Sequence, residues 1–249
     1  MNQEPKIAVV IPCYNHADIL RRTIENIFKQ TLLPFEIVVI DDGSDDDPES
    51  KINEVEKKIT NVNSKNTENL KIKFIKLDKN HGAPYARNLG AKMASAPLIL
   101  FLDADAELEP NALQEFAEAL ENHPEADFSY SNFFWGNKRF RGRDFDVKAL
   151  KHCNYIHTSS LLRRSAFPGF DETLKKFQDW DLWLTMAEKG SKGIWIDKEL
   201  FRIEPRKQGM SRWLPRVAYW IPWRLIGYQP KEIGRYRKAE EIVRKKHEI

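Results

Sequence analysis

Residues 98–105 read Leu-Ile-Leu-Phe-Leu-Asp-Ala-Asp, and this stretch decides the fold class. A short apolar run that follows a proline is typical of a β-strand buried on both faces. Asp103 and Asp105 then stand at the carboxyl end of that strand, where two like charges destabilise each other unless a cation lies between them. Mg²⁺ or Mn²⁺ prefers such oxygen ligands and can also bind a diphosphate. The alternative is a solvated strand end with acidic residues ahead of the next helix.

The sequence on either side alternates between predicted strands and helices. Apolar runs predict further strands over residues 7–12, 35–40, 72–77 and 128–131, and helical periodicity fills most of the segments between them. This alternation predicts an α/β fold with a Rossmann-like, mostly parallel central sheet and helices on both faces. In such sheets ligands bind beyond the carboxyl ends of the strands, so Tyr14, Asp42 and the Asp103–Asp105 turn are expected along one edge.

Composition sets the broad class of protein. The chain has 249 residues, of which 41% are hydrophobic and 31% charged, as in a globular protein with a substantial core. A net charge of +3 and the lack of a recognised module argue against nucleic-acid binding. Two cysteines make no disulfide framework, and the amino terminus has no signal-peptide pattern. A cytoplasmic protein is expected, either free or resting on the inner face of the membrane.

Several motifs follow one another in a specific order. They are Ile11–Asn15, Asp41–Ser44, Asn80–Gly90, Leu102–Asp105, Asn154, Thr158–Ser160, Gly169–Asp171 and Gln178–Leu184. In order and spacing they resemble the family 2 glycosyltransferases of the GT-A fold, over about residues 5–212. The resemblance implies inverting transfer of a sugar from a nucleotide-diphospho-sugar, most often a UDP-sugar, to a glycan or lipid-linked acceptor hydroxyl.

The resemblance assigns the donor-binding residues. Pro12, Tyr14 and Asn15 are expected at the nucleobase pocket, where Tyr14 offers an aromatic face. Asp42 is expected to accept a hydrogen bond from an imide nitrogen such as that of uracil. Arg87 would approach the diphosphate, because a guanidinium matches phosphate oxygens; the alternative is a helix arginine on the surface.

The metal assignment also follows from the resemblance. Asp105 is expected to contact Mn²⁺ or Mg²⁺ directly, with Asp103 on the ribose or supporting the metal. Glu204 stands where the family often has a histidine, so it either replaces that histidine as a ligand or pairs with Arg206. Ala106 stands where many relatives carry another acid.

The acceptor side is expected around Asp179. The resemblance makes Asp179 the general base that deprotonates the acceptor hydroxyl; the alternative is that Asp179 caps a helix. Thr158, Ser159, Gln178 and Trp180 are expected beside the acceptor, with Trp180 as an apolar wall or stacking surface. Gln178 replaces the acidic residue that usually precedes the base, and this motivates a second hypothesis, a degenerate relative that binds nucleotide or glycan without turnover.

We predict a catalytic domain over residues 1–210, with a nucleotide-binding half to about 125 and an acceptor-side half from about 126. Residues 211–249 are expected to form a basic, aromatic helical extension. Tryptophans and cations mixed over 211–228 suit a peripheral membrane contact, or packing on the catalytic domain or a second subunit. A third interpretation is that the basic residues near 206–212 close over the diphosphate as a lid. The final helix, over 231–247, is expected to be solvated with a narrow contact stripe.

Overall fold

The computed structural model describes residues 5–60, 70–204 and 230–249. The strands are β1 (Ile7–Cys13), β2 (Glu36–Asp41), β3 (Lys71–Lys76), β4 (Leu98–Phe101), β5 (Ala106–Leu108), β6 (Phe128–Trp135), β7 (Lys138–Phe140), β8 (Leu161–Arg163) and β9 (Gly193–Ile203). The helices are α1 (Ala17–Ile27), α2 (Pro48–Thr60), α3 (Ala83–Met93), α4 (Ala112–Asn122), α5 (Val147–His152), α6 (Gln178–Glu188) and α7 (Lys231–Lys246). Every predicted strand overlaps an observed one, and β5, β7, β8 and β9 are additional.

The strands form one sheet in the order β3-β2-β1-β4-β8-β6-β9-β5, with β7 paired to β6. Strands β3, β2, β1 and β4 are parallel neighbours. Strand β8 is antiparallel to both β4 and β6, whereas β6 and β9 run parallel. The sheet is therefore mixed, and its parallel half brings the carboxyl ends of β1, β2 and β4 to one edge.

Helices cover both faces of the sheet, as predicted. On one face Val9 belongs to a core layer shared with α1, α2 and α4. On the other face Val10 belongs to a layer shared with α3, α5, α6 and α7. Because alternate residues of β1 face opposite layers and both are fully buried, this strand is apolar throughout, as the sequence indicated.

Two glycines determine how closely α3 approaches the sheet. Gly82 precedes α3 with φ +98°, a conformation that side chains rarely adopt. A Cβ at Gly90 would lie 2.3 Å from Val10 Cγ1, so the helix packs directly on β1. This close packing fixes Arg87, which lies on the buried face of α3.

The C-terminal helix α7 has a narrow buried apolar stripe, as predicted, formed by Ile233 and Val243, and Val243 shares a core layer with α6. The segment 206–228, with its predicted roles, lies outside the described residues. The division at residue 125 stays a prediction, and the sheet crosses it because β4 pairs with β8. In the part of the chain that the structure describes, no helix is both long and apolar enough to span a membrane.

Candidate active site

The carboxyl ends of three strands meet at one edge of the sheet. The Asp42 N–H donates to the Cys13 carbonyl at 2.8 Å, which joins the ends of β2 and β1. The Leu102 N–H donates to the Val10 carbonyl at 2.9 Å, which brings the end of β4 beside β1. Three features therefore lie together at this edge, as the strand order predicts. They are the segment that begins at Tyr14, the residue Asp42 and the turn after β4.

The loops after β1 and β2 are held together through Asn15. Asn15 has φ 53°, in the left-handed region that asparagine tolerates better than most residues. Its Oδ1 accepts the Asp45 N–H at 2.9 Å, and its own N–H donates to Ser44 Oγ at 2.9 Å. Tyr14 remains 43% exposed beside this junction, while Pro12 is half-buried. Asn15 thus shapes the loops, and Tyr14 presents a free aromatic ring.

Asp42 organises the loop that leads into α3. Its Oδ1 accepts the His81 N–H and its Oδ2 accepts the Gly82 N–H, each at 2.7 Å, and the residue is 3% exposed. Gly43, at φ +78°, allows the close approach, because a Cβ there would lie 2.6 Å from the Lys79 carbonyl carbon. Each carboxylate oxygen has a second lone pair, with which it could accept a hydrogen bond from a ligand.

Arg87 links three elements at the centre of the site. It is 5% exposed; Nη2 donates to Asp103 Oδ1 at 2.5 Å and Nη1 donates to Gln178 Oε1 at 3.0 Å. Its Nε is buried without a hydrogen-bond partner among the described residues. Burial alone raises the pKa of Asp103, but the charges of Arg87 and His157 and the Arg87 hydrogen bond outweigh it and hold the pKa below its usual value. The alternative of a surface arginine is therefore wrong.

The turn that carries the two aspartates is held by backbone contacts. The Ala106 N–H donates to the Asp103 carbonyl at 2.9 Å, which closes the turn. Thr23 Oγ1 on α1 donates to the Ala104 carbonyl at 2.6 Å. These contacts fix the turn before any ligand binds.

The donor set at this turn fits a hard divalent cation. Within the described ranges, no three His, Cys, Asp or Glu side chains form a ready metal cage. Mg²⁺ commonly uses only one or two carboxylates, with water and substrate phosphates as its other ligands, and Asp105 with Asp103 meets that requirement. Ala106 pairs with Ile203 at the end of the antiparallel β5–β9 ladder, and Asp105 and the exposed Glu204 are the residues that adjoin this pair. Arg206, the alternative partner of Glu204, lies outside the described residues.

Asp179 is the second residue of α6, whose N-cap is Phe177 in the left-handed conformation at φ 59°. The alternative interpretation, in which Asp179 is the N-cap, is therefore wrong in position, although Asp179 does accept a backbone N–H of the first turn. Asp179 Oδ2 accepts from Asn154 Nδ2 at 2.8 Å, and Oδ1 accepts the Trp180 N–H at 2.9 Å. Burial raises the pKa of Asp179 above its usual value, although nearby positive groups and these hydrogen bonds oppose the rise. A carboxylate of this kind binds a proton more readily than a solvated one.

Several residues predicted beside the acceptor are covered by the protein. Trp180 is 2% exposed, and its Nε1 donates to the Leu150 carbonyl at 2.7 Å, so the expected stacking surface is wrong. Trp183 is fully buried in the same core layer. Ser159 is also fully buried and Thr158 is 6% exposed, so neither presents a surface to a large ligand. The spacing of these residues along the helix and the loop places their side chains in the core, where they pack below the site.

His157 is a site residue that the sequence reasoning missed. Its Nδ1 accepts the Ser159 N–H at 3.0 Å, and its ring lies 4.9 Å from Phe133 and 5.2 Å from Phe201. Burial lowers the pKa of His157, while the charges of Asp103 and Asp179 act in the opposite direction. Because Nδ1 accepts the Ser159 N–H, the neutral ring carries its proton on Nε2. The available signal was a titratable residue within an otherwise uncharged, buried segment from 156 to 162.

Comparison with known proteins gives a consistent family. The family model for glycosyl transferase family 2 matches residues 8–170. An uncharacterized glycosyltransferase of Rickettsia conorii is 30% identical over 80% of this chain, but over only 33% of its own length. The chain thus spans about a third of the rickettsial relatives it matches. The UDP-Glc:alpha-D-GlcNAc-diphosphoundecaprenol beta-1,3-glucosyltransferase WfaP of Escherichia coli is 28% identical, over 75% of this chain and 72% of that protein.

Solved structures share the fold. Residues 1–349 of Staphylococcus aureus TarS in complex with UDP-GlcNAc align with TM-score 0.69 at 19% identity, covering 92% of this chain and 69% of that one. The mannosyltransferase PcManGT of Pyrobaculum calidifontis, in complex with GDP-Man and Mn²⁺, aligns with TM-score 0.64 at 19% identity, covering 84% and 59%. The predicted GT-A architecture is confirmed by these likenesses. Because the family model spans well over half of the sequence, from β1 to the loop before α6, the chain belongs to glycosyl transferase family 2.

Proposed function

We propose that this protein is a metal-dependent inverting glycosyltransferase that moves a sugar from a nucleotide-diphospho-sugar to an acceptor hydroxyl. The observation that carries the proposal is Asp179, a half-buried carboxylate with a raised pKa that accepts a hydrogen bond from Asn154. Gln178 beside it is hydrogen-bonded to Arg87, and Arg87 is bonded to Asp103. The proposed base and the metal-binding turn thus belong to one contiguous network.

Asp179 is proposed as the general base. A sugar hydroxyl is a poor nucleophile while it holds its proton, and a base works best when its own pKa lies near the working pH. Burial moves the pKa of Asp179 in that direction. Asn154 donates to Oδ2 at 2.8 Å and so orients the carboxylate to take the proton of the acceptor hydroxyl, whose oxygen attacks the anomeric carbon as the nucleoside diphosphate leaves.

The proposed donor is a UDP-sugar. Tyr14, Pro12 and Asn15 would form the nucleobase side, with the exposed Tyr14 ring against the base. Asp42 would accept from the uracil imide through a lone pair that its two backbone donors leave free. The name of WfaP specifies UDP-Glc and TarS was solved with UDP-GlcNAc, whereas PcManGT was solved with GDP-Man, so base preference needs a direct test.

Asp105, supported by Asp103 and with Glu204 as a third candidate, would hold Mn²⁺ or Mg²⁺. The metal would act as a Lewis acid that offsets charge on the departing diphosphate. Arg87 would serve the same end, because a guanidinium has five N–H donors and, within residues 5–60, 70–204 and 230–249, Asp103 and Gln178 are the side chains that accept from it. The remaining donors could bind phosphate oxygens.

The proposed acceptor is a glycan or a lipid-linked sugar, as in the name of WfaP. Neutral Gln178 is proposed to donate to the acceptor through one Nε2–H, since its other Nε2–H donates to the Leu174 carbonyl at 3.0 Å and its Oε1 accepts from Arg87. A lipid-linked acceptor would bring the protein to the inner face of the membrane, where residues 211–228 would make a peripheral contact.

The proposal is tested with Asp179→Asn, with Asp144→Asn as a control at an exposed aspartate. Binding of UDP and GDP, each with and without Mn²⁺, is measured by thermal shift, and transfer by release of nucleoside diphosphate in the presence of a lipid-linked acceptor panel. A saturating nucleotide at a hundred times its Kd stabilises by about 2.7 kcal/mol. We expect Asp179→Asn to bind UDP normally and to lose transfer by roughly 10²- to 10⁴-fold. Transfer at the parental rate would refute the base assignment.

The second candidate is a relative that binds nucleotide or glycan without turnover. Gln178 motivates it, because the usual acidic neighbour of the base is replaced. The same experiment decides: metal-dependent UDP binding by the parent protein, without transfer to any acceptor or hydrolysis of the donor, would favour this candidate.

A further inference from the structure

The end of α7 is bound to α6 by a cluster of ionisable side chains. His247 Nε2 lies 2.9 Å from Asp181 Oδ1, and His247 Nδ1 lies 2.7 Å from Glu188 Oε1. Lys246 Nζ lies 2.8 Å from Asp181 Oδ1 and 2.7 Å from Asp171 Oδ2. We call these five residues the α6–α7 clamp. It ties the start of α6, the end of α6 and the loop before α6 to Lys246, the last residue of α7, and to His247, which caps the helix.

The clamp is buried where it meets Asp181. The Asp181 side chain is 3% exposed and that of His247 is 1% exposed, whereas Lys246 reaches the cluster from the edge with 38% exposure. Removing one partner from a buried charged pair leaves the other charge without compensation, so such contacts resist opening. Asp181 stands two residues after Asp179 in the same first turn of α6.

Aromatic contacts extend the connection along both helices. The Arg244 guanidinium lies 5.2 Å from the Trp180 ring, and Tyr236 lies 4.8 Å edge-on from Phe177, the N-cap of α6. Trp180 follows Asp179 directly, and its N–H donates to the Asp179 carboxylate. The residues on either side of Gln178 and Asp179 thus touch α7.

We propose that the α6–α7 clamp positions the catalytic turn of α6, with Asp181, Lys246 and His247 as positioning residues that act through Asp179 and Gln178. The inference rests on the proposed function, since it gives α7 a role in the same transfer reaction. The physical reason is that α6 starts from a left-handed residue rather than from a side-chain cap, so its first turn is held by tertiary contacts. Small displacements of a base reduce rate steeply because in-line attack requires close alignment.

The test compares Lys246→Ala and His247→Ala with Lys245→Ala, an exposed lysine of the same helix that serves as the matched control. Lys246→Arg is the conservative variant. For each, kcat and the donor KM are measured well below the melting temperature, and amide hydrogen exchange is followed over α6. We expect Lys246→Ala and His247→Ala to lose about tenfold or more in kcat. The donor KM should change less than twofold and exchange should rise in the first turn of α6, with Lys246→Arg and Lys245→Ala close to the parent.

Faster exchange in α6 with unchanged kcat would overturn the proposal, because the clamp would then be purely structural. Unchanged exchange would overturn it as well, since α6 would keep its place without the clamp. If the parent protein transfers no sugar, the proposed function fails instead. The exchange of α6 in the same variants then still decides whether the clamp holds the helix.

Discussion

Replacing Asn154 by Ala removes the side-chain donor that faces the proposed base. Asn154 Nδ2 donates to Asp179 Oδ2 at 2.8 Å, and this bond favours the charged form of the carboxylate. Hydrogen bonds to charged groups contribute about 1.5–3 kcal/mol, and we take the lower figure because water can partly replace the amide. About 1.4 kcal/mol corresponds to one pKa unit. In a plot of kcat against pH, the rise on the acid side (the acid limb) should therefore lie about one pH unit higher for the variant than for the parent.

The sign follows from the direction of the existing shift. Burial already raises the pKa of Asp179, and loss of the Asn154 donor raises it further. The base is then protonated over a wider range, so transfer by Asn154→Ala falls most at low pH and recovers as the pH rises. The assay is kcat against pH for the parent, Asn154→Ala and Asn122→Ala, an exposed asparagine at the end of α4. An equal loss at every pH, or an unmoved acid limb, would refute the reasoning.

Two further predictions concern stability. Gly90→Ala should lower the free energy of unfolding by about 1–3 kcal/mol, because the added methyl lies 2.3 Å from Val10 Cγ1 and overpacks the α3–β1 contact; a melting temperature equal to or above the parent's would contradict this. Asp171 has a pKa lowered to about 2 by its hydrogen bond from Lys246, so its contribution is present above its unfolded pKa of 3.8 and is lost as the pH falls toward 2. Asp171→Asn should therefore destabilise the protein by about 1–2 kcal/mol at pH 6, less at pH 3, in denaturant titrations; an equal effect at both pH values would count against the ion pair.

The central strands of the amino-terminal half, β1, β2 and β4, could be predicted because they are buried on both faces. Every residue of β4 is buried, so the sequence shows an unbroken apolar run. Strand β9 gives no such signal. Asp197 and Glu199 interrupt it beside a register shift against β6, where they pair with Arg141 and Arg139. A bulged strand whose middle is charged resembles a loop when only the sequence is considered.

The candidate site divides in the same way. Asp42 and the Asp103–Asp105 turn follow directly from the strand order, since the carboxyl ends of parallel strands share an edge. Trp180 and Trp183, by contrast, stand three residues apart on α6, which is the spacing of a helix face turned to the core. The helical spacing predicts the observed burial of Trp180. The functional interpretation, which placed Trp180 against the acceptor, is wrong. The role of Asp179 stays a prediction until transfer is measured.

The replacement of an acidic residue by Gln178 has a consequence for the charge of the network. Gln178 accepts from Arg87 through a neutral oxygen, so the only anion bonded to that guanidinium among the described residues is Asp103. A glutamate in its place would add a second anion, and a pair of unit charges about 4 Å apart interacts by roughly 4 kcal/mol at an effective dielectric constant of 20. That attraction would compete with a diphosphate for Arg87 and would raise the pKa of Asp179 through like-charge repulsion. In the proposed mechanism neutral Gln178 therefore leaves more of the Arg87 charge for a diphosphate and adds no negative charge beside Asp179, so the departure from the family pattern is compatible with turnover.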